Sequence, residues 1–202
     1  SVIIVAGITP PLLGDYLPSK RDAQPGIEND IDALANKQRE QGYPEHLVRV
    51  NSIRFGFSES YKKAGSNIDA DYLFDDSYSL ISYLPKALAI GLFAPFPNAW
   101  LGTGVEYGKT GRLIAGVETF VMYIVILLAI FTALRNRTRS VIFVVLSILI
   151  GTTALGLTVI NVGAIYRLRY IFWILTIVLG MKAVLDILSR FAISRSSLDA
   201  SR

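Results

Sequence analysis

The stretch Ile160–Trp173, INVGAIYRLRYIFW, sets two arginines, Arg167 and Arg169, between two long apolar runs. A guanidinium stays charged and donates bidentate hydrogen bonds, so paired arginines suit a phosphate or diphosphate. At i, i+2 the two leave different faces of a helix, whereas an extended or turn conformation points them the same way. Gly163 permits such unwinding. The spacing therefore predicts a turn carrying a two-arginine anion clamp, with Tyr166 beside it as a further phosphate contact. The other reading of the same residues is that they end the spans and bind lipid phosphate.

Carboxylates supply the second chemistry. In Gly65–Asp71, GSNIDAD, residues Asn67, Asp69 and Asp71 alternate along one side of an extended loop. The alternation resembles a Ca²⁺ loop, but the Gly and Glu of an EF-hand are missing. Asp69 and Asp71 serve better as carboxylate bases that activate a hydroxyl, and a solvated turn is the plain alternative. Glu118 is the third candidate catalytic residue, because an ionisable group in an apolar span is a functional candidate by default. It could equally form a structural ion pair with Lys109, Arg112 or Arg167. No metal site and no cofactor is expected. There is no cysteine, and His46 is the single histidine, which excludes thiol catalysis, disulfides and multi-histidine metal centres. "GTGVEYGKTG" lacks the spacing of a phosphate loop, so nucleotide binding there is rejected.

These residues hang on a chain of 202 residues whose apolar content is unevenly spread. Residues 15–80 read as soluble; residues 113–188 are almost continuously apolar. Ser1–Ile8 is apolar but too short to span, and is read as the end of a truncated transmembrane helix stopped by Thr9-Pro10-Pro11. The other reading is a short apolar terminus packed on the surface. Pro10–Pro25 is a loop. Ile27, Ile31, Leu34 and Ala35 recur with helical period and predict an amphipathic helix up to Gly42-Tyr43-Pro44. "HLVRVNSIRFGF" fits a strand or a helix. "KKAGSNIDADYLFDD" is a polar loop, with Asp76 a plausible helix cap. Leu80, Ile81, Leu84, Leu88 and Leu92 then predict a helix kinked at Pro85. Its apolar part, Ala87–Trp100, is too short to span and is broken by Pro95 and Pro97, so it is interfacial or re-entrant, with Phe93, Phe96 and Trp100 near the headgroups.

Three runs are long enough to cross a core of about 30 Å: Leu113–Leu134, Val141–Ile160 and Tyr170–Leu188. Lys182 and Asp186 can pair on the third. The expected fold is mainly α: a polytopic membrane protein with three full transmembrane helices, an interfacial kinked helix and loop at residues 81–112 and an extracytoplasmic segment at residues 15–80. The loop Arg135–Arg139 and the tail 189–202 each carry three arginines. By the positive-inside rule both are cytoplasmic, which puts residues 15–112 and the Arg167–Arg169 turn outside, periplasmic in a bacterium. The net charge of +4 comes from scattered residues, so it reports topology and not nucleic-acid binding.

"YLPKALAIGLFAPFP", the spans after it and "NVGAIYRLRYIFWIL" together resemble the C-terminal part of polytopic bacterial inner-membrane proteins of surface-polysaccharide assembly. Arg-x-Arg-Tyr before a last helix is similar to the ends of integral-membrane glycosyltransferases and O-antigen polymerase-like proteins. The resemblance covers about residues 65–188, and the acidic motif that such transferases carry near their first span is absent from this chain. It implies an enzyme acting on a polyprenyl-diphosphate-linked sugar at the outer face. Arg167, Arg169 and Tyr166 would hold the phosphates, and Glu118, Asp69 or Asp71 would activate an acceptor. The competing expectation is a non-catalytic anchor or subunit, with residues 15–80 docking a protein partner and membrane lipid around the spans. A transporter is disfavoured because Val141–Ile160 is uncharged and no paired broken spans occur.

Overall fold

A computed structural model describes residues 26–62, 65–100 and 108–199; the expected helix end at residues 1–14 lies outside them. The described residues form seven α-helices and no strand. They run α1 Ile27–Glu40, α2 Glu45–Ser60, α3 Ser77–Phe93, α4 Gly108–Arg135, α5 Arg139–Thr158, α6 Val162–Leu168 and α7 Tyr170–Asp199. Three segments are long and apolar enough to cross a membrane: Leu113–Arg135, Arg139–Thr158 and Tyr170–Arg190.

Local rules explain most boundaries. In α1 the acidic Glu28 and Asp30 sit in the first turn and Lys37 and Arg39 in the last, complementing the helix dipole. Gly42, at φ 81°, turns the chain, a conformation that costs glycine little. The ambiguous stretch after it is helical, α2. Asp76 caps α3 in a reciprocal box with Ser79, satisfying otherwise orphaned N–H groups. The helix continues through Pro85 to Phe93.

The spans alternate. Residues 136–138 join α4 to α5 on one face, here named the arginine loop after Arg135, Arg137 and Arg139. Tyr170 meets Glu118 while Asp186 meets Asn136, so α4 and α7 run parallel. The α5 helix runs back antiparallel to both and packs beside this directly contacting pair, and α1 and α2 sit at the far face. Thr132 donates to the Leu179 carbonyl at 2.8 Å, which ties α4 to α7 inside the bilayer layer. The expected Lys182–Asp186 pair forms at 3.2 Å.

Helix α3 packs antiparallel on α5 through small residues. Ala87 and Gly91 face Thr152 and Gly156, and a Cβ on either glycine would strike backbone of the other helix. Small residues four apart allow this approach where lipid offers no hydrophobic drive between helices. The end of α3 is inside the membrane layer. Its Phe93 carbonyl meets Tyr123, which lies 12 residues before Arg135 on α4, about 18 Å at 1.5 Å per residue. With a core of about 30 Å, α3 enters from the far face and stops within the layer. This selects the re-entrant reading over a helix lying flat.

A separate core forms at the far face. Leu47, Phe74, Ile160 and Ile165 are fully buried in it, together with Phe57 and Tyr83. Val159 and Ile160 thus leave the expected second span and fill this core instead. The loop before α3 is also less polar in role than in composition, because Phe74 is a core residue. Asn51 holds it, donating to the Phe74 carbonyl and accepting from its N–H, both at 2.9 Å. Arg54, only 1% exposed, donates to the carbonyls of Tyr72, Asp69 and Leu157. One guanidinium thereby joins the loop to the top of α5.

Candidate functional site

The sequence candidates fall into two neighbourhoods. The first is at the far face. Asp69, at φ 49°, accepts from the Tyr83 hydroxyl at 2.9 Å and pairs with the Lys86 ammonium. The loop is therefore not extended at Asp69. Asn67 spends its amide on the Tyr61 carbonyl and accepts from Asn161, while Asp71 points into solvent as an exposed residue. The alternating row Asn67, Asp69, Asp71 is not assembled into a common site. Among the described residues, no three His, Asp or Glu side chains gather closely enough to hold a metal ion.

Burial works to raise the Asp69 carboxyl, but the Lys86 ammonium and the Tyr83 hydroxyl outweigh it and hold the carboxyl below its ordinary 3.8. A depressed folded value means that the contact stabilises fully above the unfolded value and is lost as pH falls through the folded one. The thermal midpoint in detergent is expected to fall as pH drops below about 4, and Asp69→Asn should flatten that fall. An unchanged acid slope in the variant would contradict the assignment.

The second neighbourhood lies between α4, α6 and α7. Glu118, 17 residues before Arg135, is about 26 Å along α4, near the far edge of the membrane layer. Its carboxylate accepts from the Tyr166 hydroxyl and from the Tyr170 hydroxyl at 2.9 Å. Tyr166, Tyr170 and Trp173 pack edge to face, with ring centroids 5.4 to 5.8 Å apart, the arrangement that ring quadrupoles favour. Arg169 lies under them, its Cζ 4.1 Å from the Trp173 ring and 5.3 Å from Tyr166. A groove of about 330 Å³ starts at Glu118 and Tyr170 and continues between Val121, Met122, Ile174 and Ile177.

The two arginines do not form the expected clamp. Residues 162–168 are helical, capped by the Asn161 side chain on Ala164 N–H at 3.0 Å. Gly163 is inside that helix and does not unwind it. Arg167 is exposed and bonds back to the Gly163 carbonyl; Arg169 has no exposed surface. Spacing of i, i+2 on a helix sends them apart. The prediction of a turn weighed Gly163 and missed Asn161, a strong helix cap.

Arg169 is occupied by the end of α3. Its Nη1 donates to the Ala94 carbonyl and approaches that of Leu92 at 3.5 Å. The Tyr123 hydroxyl donates to the Phe93 carbonyl at 2.7 Å, and Trp100 Nε1 to that of Pro95 at 2.8 Å. Four successive carbonyls at and just beyond the end of α3 thus each meet a side-chain donor. The last turn of a helix leaves its carbonyls without partners, and hydrocarbon supplies none. The positive charge also faces the negative end of the α3 dipole.

Sequence reasoning named Glu118, Tyr166 and Arg169, which the structure brings together, and took Trp100 for an interfacial anchor, but did not single out Tyr170, Trp173 or Tyr123. The aromatic spacing Tyr166, Tyr170, Trp173 at i, i+4, i+7 was a legible signal of one helical face. Nothing local marks Tyr123, and nothing local marks Trp100 as a donor to the Pro95 carbonyl. The side chains of Lys109 and Arg112, considered as partners of Glu118, lie outside the described residues. Compared with protein-family models, curated proteins and solved structures, the chain has no match.

Proposed function

We propose that this protein is a membrane-embedded enzyme of bacterial envelope glycan assembly, acting on a lipid-linked sugar at the outer face of the cytoplasmic membrane. The observation that carries the reading is the placement of Glu118. It is a carboxylate at the edge of the membrane layer, held by two tyrosine hydroxyls, at the mouth of an apolar groove. A carboxylate offers about four acceptor positions, so two remain for a substrate hydroxyl. Glu118 is then the base that takes the acceptor proton, and Arg169 lends positive charge to the site from behind Trp173. Arg167, exposed at the same edge, is the arginine left to meet a diphosphate.

Glu118→Gln keeps the size and hydrogen bonding of the side chain and removes the base. Positioned general bases contribute roughly 10²–10⁴-fold, so glycan assembly in cells carrying this variant is expected to fall at least about a hundredfold, with membrane insertion and thermal midpoint near wild type. Normal glycan from a stably inserted variant would sink the enzyme reading.

A second reading, a non-catalytic anchor or docking subunit, is favoured by one observation. The two arginines fully buried among the described residues, Arg54 and Arg169, bind backbone carbonyls and so build the fold. Under this reading Glu118→Gln leaves glycan unaltered while a protein partner is retained through α1 and α2.

A further inference from the structure

We infer that the α4–α7 groove holds one hydrocarbon chain of a membrane lipid whose head carries a primary ammonium, and that Glu118 selects that head. The inference shares a carboxylate with the enzyme reading but not its chemistry; a resident lipid would have to leave before Glu118 met a sugar hydroxyl.

The argument rests on how polarity is arranged along the groove. Val121, Ile174 and Ile177 are exposed on the bilayer side of the two spans, at 51%, 61% and 42%. The groove is therefore bordered by lipid. Its walls are apolar over their length, and its polar groups, Glu118 and the Tyr170 hydroxyl, stand at one end only. That is the asymmetry of an amphiphile lying along the membrane normal with its head near the edge of the layer. The volume of about 330 Å³ is at the small end of ligand pockets, about 300–1,000 Å³, which fits one chain and not two.

The head follows from which charge a ligand can reach. Arg169 is fully buried beneath Trp173 and Tyr166, so its guanidinium is closed to the groove. Glu118 is half-buried and borders the groove. The tyrosine hydroxyls that hold it are donors, one to each oxygen, and each oxygen keeps a second acceptor position. A phosphate offered to this end meets a carboxylate and is repelled; an ammonium meets an acceptor of opposite charge, and such charge-assisted bonds are about twice as strong as neutral ones.

The test uses the full chain reconstituted in vesicles of equal phosphatidylethanolamine and phosphatidylglycerol with identical acyl chains, extracted gently and weighed with its retained lipids by native mass spectrometry. Wild type is expected to retain the ethanolamine lipid in about tenfold preference, the worth of one hydrogen bond to a charged group. Glu118→Gln should erase the preference. Ile174→Trp, which fills the groove and leaves the carboxylate, should remove the retained lipid altogether. Tyr170→Phe should keep the preference, since the carboxylate survives. Equal retention of both lipids by wild type, a preference for the glycerol head, or an ethanolamine preference that survives Glu118→Gln or Ile174→Trp would each overturn the inference. The enzyme reading is judged separately, by glycan in cells. Lost lipid preference with normal glycan leaves the lipid site standing and removes the enzyme, and lost glycan without any lipid preference does the reverse.

Discussion

Arg169→Leu is expected to lower the thermal midpoint of the purified protein by roughly 5–10 °C, while Arg167→Ala leaves it within about a degree or two. Leucine retains much of the packing under Trp173 but donates nothing. The Ala94 and Leu92 carbonyls then stand unpaired inside the membrane layer, where each such group costs about 1–3 kcal/mol. In a chain of this size about 1 kcal/mol moves the midpoint by roughly 2–4 °C. Arg167 is exposed and bonds only to the carbonyl of its own helix, so its loss belongs with surface substitutions, about ±0.5 kcal/mol. Arg169→Lys should recover part of the loss, because both carbonyl contacts come from Nη1 alone and an ammonium on a shorter stem reaches at most one of them. Equal effects from the Arg167 and Arg169 variants would mean that the buried guanidinium is not the lock on α3.

Gly156→Val should be the most damaging single substitution in the membrane layer. A Cβ at Gly156 meets the carbonyl of Ala87 and the N–H of Gly91, and a Cβ at Gly91 meets the carbonyl of Thr152. These are backbone atoms on the facing helix, so no rotamer change relieves the clash; α3 and α5 must separate. Overpacking a well-filled contact costs about 1–3 kcal/mol, and the upper end applies here because the obstacle is rigid. Separation also draws Ala94 away from Arg169, so the cap of α3 weakens with it. The measurement is thermal unfolding in detergent together with protease cleavage of α3 in membranes. Gly26→Ala, whose added Cβ meets nothing within 4 Å, is the control. A Gly156→Val protein that melts with wild type would show that the two helices are not in backbone contact.

The two substitutions probe one device. A helix that stops inside the membrane must hide its last carbonyls and must lie close to a neighbour. Glycines on α3 and α5 provide the close approach; Arg169, Tyr123 and Trp100 provide the donors. The candidate site is built around the same arginine, with Glu118, Tyr166, Tyr170 and Trp173 layered over it. Either role proposed for Glu118 would therefore depend on a fold that Arg169 maintains from beneath.

How much of this was legible depends on the range of the physics involved. Span length, the α1 period, the Asp76 cap and the Lys182–Asp186 pair are set by residues a few positions apart, and a linear chain displays them directly. The re-entrant course of α3 was half visible in its short apolar run and its prolines. The fate of Arg169 was not visible at all. A buried arginine and an anion-binding arginine have the same local sequence, and they differ only in whether a carbonyl 75 residues away reaches the guanidinium first. Asn51 and Arg54 were missed for the same reason: their partners lie 23 and up to 103 residues distant. Periodicity and length determined by themselves that the described residues are mainly helical and include three segments long and apolar enough to cross a membrane. Tertiary structure alone decided which polar groups the backbone consumes and which one, Glu118, still faces a groove. The hydrogen bonds of a helix end in hydrocarbon must be made somewhere, and only the folded chain determines which donors make them.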